Sequence, residues 1–146
     1  MKNLLISIIL IISIVKGNIL HVSTTGNDES GDGSANNPFL TIQKGIDEAS
    51  SMDTVLVLNG VWEGGVIIDN KQITLMGESM DDTKLNIPTT VPNISVLNND
   101  DTVRVENFKI KRGNAELGGS ALYISSSKIA AKNLDLSNNT GLHGGA

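Results

Sequence analysis

Five cations stand close together in the second half of the chain. Arg104, Lys109, Lys111 and Arg112 are near neighbours, and Lys132 follows. On a strand-rich chain such a stripe projects outward and has the charge to hold an acidic polysaccharide. Eliminative cleavage of a polyuronate would need more: an Arg or Lys base together with acidic Ca²⁺ ligands on adjoining strands. The sequence shows no acidic cluster beside the stripe, and a solvated charged face is its ordinary alternative.

Other residues with chemical potential are weaker. Asp28, Glu29 and Asp32 lie in a Gly-rich stretch; their hard oxygens suit Ca²⁺, but their spacing is not that of an EF-hand loop, and turn chemistry accounts for them. Asp100 and Asp101 are adjacent, so they point apart when extended, and Asn98-Asn99-Asp100-Asp101 reads as a turn. Trp62, among Gly60, Gly64 and Gly65, either stacks on a sugar ring or packs over a strand edge. His21 and His143 lie near opposite ends of the chain and share no partner. Asn93-Ile94-Ser95 and Asn138-Asn139-Thr140 are glycosylation sequons, with Asn93 and Asn138 as acceptors; a stacked Asn ladder inside the turn is the competing use of Asn138. No catalytic residue, metal site or cofactor is predicted.

The elements that must position these residues are legible through a repeat. Val103, Val105, Asn107, Phe108, Ile110 and Gly118-Gly119 recur at one constant spacing as Ile129, Ala131, Asn133, Leu134, Leu136 and Gly144-Gly145. A fixed period of this kind marks units that bury their apolar faces only by stacking on one another. Within Val103–Ile110 the inward residues change phase between Val105 and Phe108. Asn107 is the residue able to turn that corner, because Asn tolerates the left-handed conformation; Asn133 does the same in the next copy. The short strands beginning at Val66, Ile94 and Ala121 are almost evenly spaced, at close to the same period. The prediction is an all-β chain, a right-handed parallel β-helix solenoid of about four coils, with handedness following the preference for right-handed parallel crossovers. An antiparallel sandwich is the runner-up; it offers no reason for the repeat.

Further strands are expected at Leu20–Ser23, Thr54–Leu58, Val66–Ile68, Ile73–Met76, Ile94–Leu97 and Ala121–Ile124. Between the first two, Asn37-Pro38 predicts a helix with Pro at its first position and Phe39, Ile42, Ile46 and Ala49 on one face. It would cap the first coil. Gly45 weakens that helix by ~1 kcal/mol relative to Ala, so tertiary contacts must hold it.

Residues 1–17 read as a secretory signal peptide: Lys2, then the apolar run Leu4–Val15, then Val15 and Gly17 before Asn18. A membrane span needs ~20 apolar residues, and none is expected in the mature chain. Loss of Lys2 and Lys16 takes the net charge from -5 to -7. An acidic chain with no large basic cluster argues against nucleic acid and against an anionic membrane surface. There is no cysteine, so stability must come from stacked strands rather than disulfides. The predicted organisation is residues 1–17 as leader, 18–53 as cap strand, loop and helix, and 54–146 as coils.

Pro38-Phe39-Leu40-Thr41-Ile42-Gln43, Asp53–Leu58 and Ile73–Gly77 together resemble the amino-terminal part of pectin-lyase-like parallel β-helix proteins. Gly118-Gly119-Ser120-Ala121, Asn138-Asn139-Thr140 and Gly144-Gly145-Ala146 resemble the Gly-Gly-Ala and Asn-x-Thr elements of polymorphic outer-membrane-protein and adhesin-like repeats. Thr41–Asn86 is also similar to the start of pectin methylesterases, which implies two glutamines holding an oxyanion and two catalytic aspartates on consecutive coils. The only glutamines here, Gln43 and Gln72, come too early for that set.

The final Gly144-Gly145-Ala146 stands where the earlier copy runs on into a strand, which predicts a carboxyl end truncated within a coil, with further coils or a partner chain beyond it. The function expected is that of a secreted or cell-surface, non-catalytic module for adhesion or carbohydrate contact, with a polysaccharide or cell-surface ligand as partner. The alternative is the amino-terminal fragment of a polysaccharide-active enzyme, of pectinesterase or lyase type, whose catalytic residues lie beyond residue 146.

Overall fold

The structure is a computed structural model that describes residues 17–63, 65–86, 91–111, 114–115 and 121–141. Residues 1–16, and Arg112, Gly118-Gly119, His143 and Gly144-Gly145-Ala146, lie outside them. In chain order the elements are β1 (Ile19–Val22), α1 (Ile42–Glu48), β2 (Thr54–Val57), β3 (Gly60–Trp62), β4 (Val66–Asp69), β5 (Thr74–Gly77), β6 (Thr83–Asn86), β7 (Ile94–Leu97), β8 (Thr102–Lys111), β9 (Asn114–Ala115), β10 (Leu122–Ser125), β11 (Lys128–Asp135) and β12 (Thr140–Gly141). Among the described residues strand is the predominant regular structure, and the strands form parallel sheets.

Every pairing between these strands is parallel. The antiparallel sandwich is thereby excluded for the described residues. One row runs β1-β2-β5-β8-β11 and another β3-β6-β8, while β4-β7-β10 forms a separate sheet and β9 pairs with β12. Strand β8 belongs to two rows because it bends. Its first half pairs with β5, from Thr74↔Arg104 to Met76↔Glu106; its second half pairs with β6, from Lys84↔Lys109 to Asn86↔Lys111. Asn107 lies between the halves at φ 62°, and Asn133 makes the same bend in β11 at φ 51°. Phe108 accordingly lies beside Leu134.

Apolar residues stack in register, mostly buried but exposed at the last strands, where Ala131 and Ile124 lie. Leu20, Val55, Leu75, Val105 and Ala131 form one column. Trp62, Leu85 and Ile110 form a second, and Ile68, Val96 and Ile124 a third. Most of these side chains are fully buried, and each Leu, Ile or Val so buried contributes about 1.5–3 kcal/mol. Polar residues stack too. Asn70, Asn98 and Ser126 all have positive φ at the turn that follows β4, β7 and β10. The residues after them are tied together: Asn99 Oδ1 accepts from the Lys71 amide, and the Asn99 amide donates to Ser127 Oγ at 3.0 Å.

The helix starts later than Pro38. Phe39 is extended and bridges to Val22, so Pro38 is not at the first helical position. Thr41 is the N-cap, accepting from the Lys44 amide, and Asp28 holds this entry from the side by accepting from Leu40 N, Thr41 N and Thr41 Oγ1. Burial pushes the Asp28 carboxyl up, but these hydrogen bonds outweigh it and hold its pKa below the usual carboxylate value. Gly45 faces β1 and β2 so closely that a Cβ would lie 2.8 Å from Val22 Cγ2 and 3.0 Å from Val55 Cγ1. That contact is the reason a helix interior carries glycine here.

Helix α1 also closes strand edges. The Gln43 side-chain amide accepts from Ile67 N at 2.8 Å and donates to Ile67 O at 3.1 Å, occupying the outer edge of β4. Lys71 Nζ donates to the carbonyls of Ile46 and Asp47 in the last helical turn, where a cation is favoured. The outer edge of β1 is bonded through His21 N to Gly33 O, Phe39 N to His21 O and Ser23 N to Phe39 O. Among the described residues no helix is long and apolar enough to cross a membrane.

Candidate functional site

The corner at Asn107 divides the basic stripe. Arg104 lies before it, paired with Thr74 and Ala130, and Lys132 pairs with Glu106 on the same stretch. Lys109 and Lys111 lie after it, beside β6. Arg112 is outside the described residues. The predicted stripe is therefore two separate faces, because a left-handed residue re-aims the strand.

A cation that sequence reasoning missed joins the second face. Lys84 pairs directly with Lys109, and Lys84, Lys109 and Lys111 line a cleft of about 390 Å³ with Val61, Leu85 and Asn86. Asp135 stands beside it, paired in register with Lys109. Its Oδ2 lies 3.5 Å from Lys109 Nζ and 3.8 Å from Lys111 Nζ, while Oδ1 accepts from Ser137 N at 3.0 Å. The Ser137 hydrogen bonds, helped by the two ammonium groups, lower the Asp135 pKa to about 2. Among the described residues Lys84 has no ion pair. The cleft thus gathers three lysines, two of which share the neighbouring Asp135 carboxylate.

The remaining candidates resolve toward structure. Trp62 is buried, with Nε1 donating to Leu58 O at 3.0 Å, so its face is not offered to a sugar. Asn93 is fully buried, which leaves no room in this packing for a glycan on its amide. Asn138 is exposed at φ 60°. Its neighbour Asn139 turns inward and donates to the carbonyls of Ile110 and Leu136. The Gly-rich loop uses its carboxylates in turns: Asp28 on the helix entry, Asp32 on Ser34. Hydrogen bonds from Ser34 hold the Asp32 carboxyl below its usual range. Asp100 and Asp101 are exposed on a polar cleft of about 440 Å³ that also takes in Ser51, Asn70 and Gln72. Among the described residues no three His, Cys, Asp or Glu side chains stand close enough to hold a metal ion.

Both glutamines have structural partners. Gln43 is bonded to the Ile67 backbone and to Asp47, and Gln72 Oε1 accepts from Ser51 Oγ at 3.4 Å. No family model, curated protein or solved structure matches the chain.

Proposed function

We propose that the chain is a right-handed parallel β-helix with an amino-terminal capping helix, secreted or held at the cell surface, and that it acts without catalysis as a module for adhesion or carbohydrate contact. The β-helix reading is supported by strands whose neighbours come one winding later: Thr54 beside Thr74, Arg104 beside Ala130, Val66 beside Ile94. Right-handed winding follows from the general preference of parallel crossovers. Export is supported by the leader-like pattern of residues 1–17.

The observation that carries the contact reading is the cleft of Lys84, Lys109 and Lys111 on a chain of net charge -5. A local excess of cations on an acidic chain raises the local concentration of anionic ligands at that place. The non-catalytic part of the reading is supported by Gln43 and Gln72, whose amides serve the fold. Binding to a panel of neutral and acidic polysaccharides and to cell-surface preparations tests it. Measurable hydrolysis or β-elimination of any of them, without retained binding, would reverse the reading in favour of an enzyme fragment.

A further inference from the structure

Lys84 and Lys109 are direct partners on adjacent strands, about 4.8 Å apart along the stack. Like charges in that position destabilise a sheet. Asp135 relieves Lys109 and Lys111 at 3.5 and 3.8 Å but does not pair with Lys84. The cleft keeps an uncompensated positive charge beside a strongly exposed apolar residue, Val61. Among the described residues its cations are all lysines. Arginine's planar fork matches a carboxylate in two bonds, whereas lysine acts as a point charge with freely turning donors. A site of three lysines therefore has no geometric preference for carboxylates, and the density of anions decides what it holds.

We propose that this cleft is a polyanion site that takes a sulfated glycan in preference to a uronate glycan. The assignment rests on the carbohydrate-contact reading above. A uronate chain offers a lone carboxylate on each sugar, while a heavily sulfated chain brings several sulfate esters within reach of Lys84, Lys109 and Lys111 together. Asp135 competes with the ligand for Lys109 and Lys111. At physiological salt charges beyond about 8 Å are screened, so the local excess outweighs the overall negative charge.

The probes are dextran sulfate, polygalacturonate and neutral dextran of matched length, with the full chain. Dextran sulfate should bind at least tenfold more tightly than polygalacturonate, weaken with salt, and protect Lys84, Lys109 and Lys111 from acetylation read by mass spectrometry. Lys84→Gln should weaken binding several-fold and Asp135→Asn should strengthen it, while Arg104→Gln, beyond the Asn107 corner, should leave it unchanged. The protection map needs no variant and so stands even if one misfolds. Equal affinity for the two acidic chains, or protection elsewhere, overturns the proposal. Binding of neutral glycans that survives Lys84→Gln overturns it and leaves the contact reading intact; no binding to any glycan removes both.

A second observation lies at the other end of the molecule. Asp53 is buried, yet its carboxylate meets only two backbone amides, Asn18 N at 2.6 Å and Ser50 N at 2.8 Å, and no cation among the described residues. Buried carboxylates ordinarily have a countercharge. The Asn18 carbonyl accepts from Thr54 N, which fixes Asn18 on β2. We infer that removal of residues 1–17 turns the Asn18 amide into an α-ammonium that pairs with Asp53, so that maturation supplies the missing charge. Cleavage there breaks the Gly17–Asn18 amide with water and frees the Asn18 amine, which takes a proton. The exported chain should begin at Asn18, and its α-amino pKa should lie above the usual ~7.7–8.0 by about one unit or more. Nα-acetylation should destabilise the mature chain, and less so in Asp53→Asn. An α-amino group titrating in its ordinary range, or a different amino terminus, overturns the inference.

Discussion

Asn133 Nδ2 donates to Asn107 Oδ1 at 3.0 Å, linking the equivalent bends of the paired strands β11 and β8. Asn107 Nδ2 in turn donates to the Gly77 carbonyl at 3.2 Å, so the bond continues down the stack. The same side chain that tolerates the left-handed bend also joins one strand to the next. Replacing Asn107 with Ala should cost about 1–2 kcal/mol for the backbone conformation and about 0.5–1.5 kcal/mol for each of its two side-chain hydrogen bonds. Asn107→Gly should lose the second contribution and avoid the strain of the first. Urea unfolding of the two variants separates them, and equal midpoints would deny the conformational role.

Gly45→Ala sets two effects against each other. Helix propensity favours Ala by about 1 kcal/mol, while overpacking in a tight core typically costs about 1–3 kcal/mol. With Val22 Cγ2 at 2.8 Å and Val55 Cγ1 at 3.0 Å from the added carbon, overpacking wins. The variant should be destabilised in thermal melts; a stabilised one would show that α1 does not press on β1 and β2.

Gln43 acts as a surrogate strand along β4. Gln43→Ala removes both bonds to Ile67 and frees that edge, at a cost of about 1–3 kcal/mol. Gln43→Glu keeps the acceptor and loses the donor, and should fall between. Hydrogen exchange at the Ile67 amide should accelerate in the Ala variant, with greater aggregation as the edge is exposed.

Asp135 gives a defined pH response. Its folded pKa is lowered from 3.8 to about 2, so the ionised form is favoured by folding. The stability it contributes is full above about pH 4 and disappears as pH falls through about 2. Carboxyl titration by NMR should find this group ionised at pH 3, and Asp135→Asn should remove its share of the acid dependence.

What is readable in the sequence follows the regularity of the spacing between paired strands. The stretch from Val103 to Leu136 stands out because its two copies have equal length and the same corner residue. Earlier intervals differ: Thr54 pairs with Thr74, and Thr74 with Arg104, so the second interval between paired strands is half as long again as the first. Turns of unequal length hide the period without altering the stack. Strand β6 is not legible because Leu85 is the sole apolar residue in Thr83–Asn86; Thr83 is buried through hydrogen bonding to Asn59. Without β6 there is no sign of Lys84, and hence none of the cleft. Strand β3 is obscured by the glycines around Trp62. The partner of Ile94 is Leu122 rather than Ala121, so β10 starts slightly later than its apolar run suggests. The helix start is displaced from Pro38 because Thr41 and Asp28 together supply the cap, although Pro38 would suit a first turn.

The most direct test of the parallel strand register uses the absence of native cysteine. Arg104 and Ala130 are register partners, about 4.8 Å apart and within disulfide reach. The double substitution Arg104→Cys/Ala130→Cys should oxidise to an intramolecular bond with no free thiol remaining. Arg104→Cys/Lys132→Cys, displaced along the strand and beyond about 7 Å, should keep both thiols. Closure of the displaced pair, or failure of the register pair to close in a folded monomer, would contradict the stacking on which the fold and the cleft both depend.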